Sequence, residues 1–123
     1  MKDVEISRFV DEGKEYIAKG DAIQASEKLY KAVEECVKVL VERHKLPEYE
    51  EAERDGRWKS YLLGQAARKL AKDLKERRIG EAWAKAFEIH VWGFHESRYG
   101  VEDIEQDVPY VEWLVGYVKD QEG

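Results

Sequence analysis

Histidine is the side chain here best suited to acid–base or ligand chemistry near neutral pH, and the chain has three: His44, His90 and His95. Two of them fall in one short stretch, FEIHVWGFHESRYG, residues 87 to 100, among phenylalanines, a tryptophan and a tyrosine. On an α-helix advancing about 100° per residue, Trp83, Phe87, His90 and Phe94 share one face. His90 then sits in the middle of an apolar stripe. Three roles fit that place: a core histidine with one hydrogen-bond partner, a proton-transfer or ligand group lining a cavity, or a metal ligand. His95 lies five residues on, about 140° around the same helix. Chelation from one α-helix uses spacings of three or four, so His90 and His95 are expected to point apart. Trp92 and Tyr99 fall on the opposite face, beside His95 and Glu96. These four form a candidate interface, because large aromatics away from the core mark a second packing surface. The C-terminal helix of the same chain, a second subunit and a ligand are the occupants that fit it.

A second cluster is cationic. Arg68, Lys72 and Lys75 share one helical face, with Lys69, Arg77 and Arg78 nearby. A solvated face is the plain reading, and an anion or RNA surface joining a cleft at His90 is the sharper one. No platform of aromatic residues for single-stranded nucleic acid accompanies it. Cys36 lies in mid-stripe on its helix and reads as an inert buried thiol. No zinc-spaced Cys/His set, phosphate-binding glycine loop or nucleophile elbow occurs. The expectation is no catalytic residue, no metal site and no cofactor.

The elements that must position these groups are helical. Apolar residues recur at helical spacing and no useful stretch alternates with period two. The first helix is expected from about Val4 to Lys19, stopped by Gly20. Asp21 caps a second, from Ala22 to about Lys45, with Gln24 in capping-box register. Its inner stripe is Ala25, Leu29, Ala32, Val33, Cys36, Val37 and Leu40. The acidic stretch EYEEAERDG, residues 48 to 56, has no clear apolar stripe and reads as a connection, with a partly helical one as the alternative. A third helix is expected from about Arg57 to Arg77, and a fourth from Gly80 to about Tyr99. Pro109 is taken as a boundary before a last helix carrying Val111, Leu114, Val115 and Val118, with room for one short helical turn in residues 101 to 108. The predicted fold is all-α: an antiparallel up-and-down four-helix bundle with an additional C-terminal helix, in one domain, residues 1–123.

Composition narrows the class further. The net charge of −6 argues against a dedicated nucleic-acid binder. Charged residues make up 39% of the chain and Asn and Thr are absent, a bias that suggests a high-temperature organism. A lone cysteine allows no internal disulfide and fits a reducing compartment. The start, Met1-Lys2-Asp3-Val4, has no apolar signal-peptide core, and the apolar runs fall short of the ~18 residues a membrane span needs. A cytoplasmic location is expected.

The segments AKGDAIQASEKLYKAVEECVKVLVE (residues 18 to 42) and EAWAKAFEIHVWGFHE (81 to 96) resemble the archaeal PaREP paralogous-repeat family, which is similar to the HEPN helical bundles. The residues that carry the resemblance are Gly20, Asp21, Ala25, Ser26, Glu27, Lys28 and Leu29, then Ile89, His90, Phe94 and Glu96. The resemblance implies the same antiparallel bundle and carries no settled biochemical role. HEPN relatives include ribonucleases with an Arg-x(4–6)-His motif. Here Arg43 is followed at once by His44, and Arg78 precedes His90 by twelve, so that motif is absent. Two functions are therefore expected in competition. One is a non-catalytic module that dimerises or docks a protein partner. The other is a HEPN-like nucleotide- or RNA-binding protein partnering a nucleotidyltransferase.

Overall fold

The computed structural model describes residues 2–121. Six α-helices form: α1 (Lys2–Ala18), α2 (Ala22–Arg43), α3 (Pro47–Asp55), α4 (Ser60–Asp73), α5 (Arg78–Ile89) and α6 (Val101–Asp120). A π-helical segment, His90–His95, continues α5, and no strand occurs among the described residues. No helix there is long and apolar enough to cross a membrane.

The stripe on α2 is the centre of the core. Ala25, Leu29, Ala32, Val33, Cys36, Val37 and Leu40 are all fully buried. Burying each of the larger aliphatic side chains among them contributes roughly 1.5–3 kcal/mol. The other five α-helices and the π segment all pack against α2. The turn before it is built as the residue types require. Gly20 takes a positive φ of 78°, and the Asp21 side chain accepts a hydrogen bond from the Gln24 backbone N–H at 3.0 Å. From the far side, α6 buries Val111, Leu114, Val115 and Val118, the register expected for it.

The boundaries differ from expectation in three places. Residues 48 to 56, expected as a connection at most partly helical, are helical almost throughout: Pro47 opens α3 and Gly56, at φ 75°, closes it. That short helix hides only Glu48 and Ala52, so no apolar stripe announces it. Two shorter helices, α4 and α5, replace the expected spans 57–77 and 80–99, and Lys75 at φ 54° lies in the turn between them. The last helix starts at Val101, eight residues before Pro109, which sits inside it. Proline within a helix frees the carbonyl four residues back. Here that residue is Glu105, exposed like Pro109, so the proline sits on the solvent side of the helix. Six α-helices thus stand where five were expected.

One contact fixes how the π segment meets α2. Gly93 is buried, and a Cβ built on it would lie 2.0 Å from Ser26 Oγ and 3.0 Å from Ile104 Cδ1. Ser26 is itself fully buried, its hydroxyl donating to the Ala22 carbonyl at 2.7 Å. Gly93→Ala is expected to cost about 2–3 kcal/mol, because α2 or the π segment must shift. Gly116→Ala, on α6 with nothing within 4 Å of its added Cβ, is expected to gain up to ~1 kcal/mol from helix propensity. Urea denaturation of both variants checks this, and equal midpoints would contradict it.

Candidate functional site

The π segment departs from α-helical bonding at its carbonyls. The Glu96 N–H donates to the Val91 carbonyl five residues back at 2.8 Å. The N–H groups of Arg98 and Tyr99 converge on the Trp92 carbonyl at 2.7 and 3.0 Å. A π turn holds more residues than an α turn, so residues five apart come to lie above one another. His95 Nε2 is 3.1 Å from His90 Nε2. The ring centres are 4.4 Å apart and the planes are inclined at 79°. The expectation that these rings point apart was geometrically sound for an α-helix and is overturned because the backbone here is not one. One imidazole donates its N–H and the other accepts.

His90 is the hub of a ring cluster. It stacks on Tyr30 of α2 at 3.9 Å with a 16° interplanar angle, and lies nearly parallel to Phe94 at 6.0 Å. Trp83 and Phe87 extend the cluster, 5.8 Å apart. Of this stripe only Trp83 lies on the inner face of α5. That face is Ile79, Ala82, Trp83, Ala86 and Ile89, continued by Gly93. Phe87 is 37% exposed, and His90 and Phe94 are half-buried. His90 therefore lies at the rim of the core, between the readings of core residue and open ligand. Its Nδ1 is buried with no hydrogen-bond partner. Burial, aided by the neighbouring His95, holds the imidazole below its usual range while Glu27 opposes. The Tyr30 phenol is pushed up by burial and by Glu34 and Glu27.

The other expected face is divided. Trp92 is 45% exposed, and His95 and Glu96 are exposed as well. Tyr99 is committed within the chain: it packs against the core, and its hydroxyl donates to Glu88 Oε2 at 2.6 Å. That bond, with a smaller contribution from burial, pushes the phenol up to about 12. Beside it on α6, buried Asp107 was not singled out by sequence reasoning. Burial pushes its carboxyl up to about 6; Lys85 opposes, and Glu88 and Asp103 add to the rise. No sequence signal marks Asp107, because a carboxylate in an acidic stretch reads as solvated until its neighbours are known.

The cationic stripe does not join His90. Gly64 of α4 lies against the Trp83 ring and Ala71 lies against Gly80, so α4 runs away from the histidines as it descends α5. His90 is ten residues beyond Gly80, roughly 15 Å along a helix. Arg68 and Lys72 are exposed toward the far end, and Lys75 has left the helix. The single cleft expected for His90, Arg68, Lys72 and Lys75 is not formed. Lys69, on the same helix, is paired with buried Glu48 at 2.6 Å. Cys36 is buried, its thiol pushed up to about 12 by burial and by nearby acids, which fits an inert group. Among the described residues no set of three or more His, Cys, Asp or Glu side chains converges as metal ligands would.

The model of the archaeal PaREP1/PaREP8 family matches residues 4–115. A crystal structure of a protein from Sulfolobus solfataricus is similar at 33% identity and a TM-score of 0.85, covering 94% of each chain. A solution structure of the Orf c02003 protein is similar at 33% identity and a TM-score of 0.80, covering 94% of this chain and 89% of that one. No curated protein matches the chain.

The buried carboxyl of Asp107 makes stability depend on pH. It titrates near 6 when folded and near 4 when unfolded, so the folded chain binds more protons in between. Its contribution to stability therefore declines as pH rises from about 4 to about 6 and stays lost above that. Asp107→Asn is expected to match the wild type near pH 4 and to exceed it by up to ~2 kcal/mol at pH 7. Chemical denaturation at both pH values checks this, and parallel profiles for the two proteins would contradict it.

Proposed function

The chain belongs to the archaeal PaREP1/PaREP8 family, and from that premise we propose that it is a non-catalytic helical module that works by self-association into a homodimer. The observation that carries this reading is Trp92, the largest of the side chains, left 45% exposed on the π segment. Tryptophan is enriched at the centres of interfaces because it buries a large rigid area at low entropic cost. Phe87, His95 and Glu96 are exposed on the same stretch of chain and supply apolar and polar contacts around it. Tyr99 is removed from the interface proposed by sequence, since Glu88 and the core already hold it.

In the same reading the helices make a HEPN-like antiparallel bundle around α2. The tight turns at Gly20 and Lys75, which fold α1 onto α2 and α4 onto α5, support it. The 39% charged content with no Asn or Thr supports a thermophilic source, and the lone buried cysteine supports the cytoplasm. The nucleotide- or RNA-binding alternative, with a nucleotidyltransferase as partner, keeps Arg68 and Lys72 as exposed cations but loses the shared cleft with His90.

Light scattering on the wild type and on Trp92→Ala tests the proposal. The wild type is expected to run as a dimer near 29 kDa, twice the 14.4 kDa chain, and the variant to shift toward monomer with its helical circular dichroism intact. A monomer in both cases, with no change in stability, would reject self-association. Heat released on titrating RNA at low salt, lost in Arg68→Ala and Lys72→Ala, would favour the alternative instead.

A further inference from the structure

The paired tips of His90 and His95 have a use that a hydrogen bond between them does not exhaust. Imidazole binds zinc and related ions through one nitrogen at about 2.0–2.1 Å. Two such bonds to one ion, with nitrogens 3.1 Å apart as here, enclose an angle of about 98° at the metal, between octahedral and tetrahedral values. The 4.4 Å between ring centres is too short for two rings meeting head-on, so both nitrogens lie on the side where the rings approach. We propose that His90 and His95 form a two-imidazole site for a borderline divalent transition ion such as Zn²⁺, Ni²⁺ or Cu²⁺.

The surroundings suit that class of ion. Tyr30 and Phe94 flank His90 and fix its ring, so little rotamer freedom is lost when a metal binds. His95 is exposed, giving the ion an entry path from solvent. Glu27 acts electrostatically on His90 from α2 and adds negative potential. No third side chain completes the set among the described residues, so the remaining coordination positions go to water. The His90 Nδ1 has no partner to orient it, where metal-bound imidazoles usually donate to a second group. Both features predict a micromolar site rather than one that holds the fold together. The site arises from the π turn alone: in an α-helix the same residues would lie about 140° apart.

Calorimetric titration of tag-free, chelator-stripped protein with ZnCl₂ or NiCl₂ tests this. The expected result is one ion per chain, with affinity at least about tenfold weaker in His95→Ala and in His90→Gln. His44→Ala serves as the control: its ring is engaged with Gln121 at 3.2 Å, at the other end of α2. It is expected to bind as the wild type does. Because His95 is exposed, its loss leaves the fold intact, and the melting curve without metal verifies that. Absence of metal heat in the wild type, or binding unchanged by His95→Ala, overturns the proposal. It stands or falls separately from self-association, which Trp92→Ala reports on.

Discussion

The close approach of Gly93 to Ser26 governs this molecule. With no side chain at 93, the backbone after α5 presses directly on α2, at a place where even a methyl group would collide with the Ser26 hydroxyl. The helix accommodates that approach as a π segment, His90–His95. Two consequences follow from one backbone adjustment. His90 is laid against Tyr30 and His95 is brought over His90, while Trp92 keeps the outward place that α-helical spacing already gave it. Helices that carry π turns often do so where function needs a side chain re-aimed, and here two imidazoles are brought together.

Much of the frame was legible in the residues, for a physical reason. The α2 stripe is fully buried as periodicity required, since a helix surrounded by neighbours must be apolar along its length. The cap at Asp21 and the stop at Gly20 are local devices whose residue types announce them. The departures are equally physical. α3 buries only Glu48 and Ala52, so hydrophobic pattern was silent, although Pro47 and Gly56 at its ends were helix signals. Pro109 misled because the rule against proline in helices weakens on the solvent side of a helix. The π segment was beyond periodicity altogether. A glycine inside an aromatic helical stretch was visible at position 93, but its cause, contact with Ser26 nearly seventy residues earlier, is tertiary.

The same limit shaped the site. Beyond Trp83, the inner face of α5 runs one position away from His90: the buried line goes through Ala82, Ala86, Ile89 and Gly93, and Phe87, His90 and Phe94 lie beside it. That rotation leaves Phe87 and Phe94 partly open to solvent and turns part of an expected core into a rim. It also separates His90 from Arg68 and Lys72, which α4 carries to the far end of α5. What remains is an acidic, all-helical member of the archaeal PaREP1/PaREP8 family whose distinctive chemistry is gathered on six residues of π helix.

Nuclear Overhauser spectroscopy of the labelled protein tests that geometry most directly. The account predicts a strong cross-peak between the ring protons of His90 and His95, together with proximity of the Gly93 α-protons to Ser26. Regular α-helical connectivities running unbroken through residues 90–95, with no contact between the two imidazoles, would contradict it.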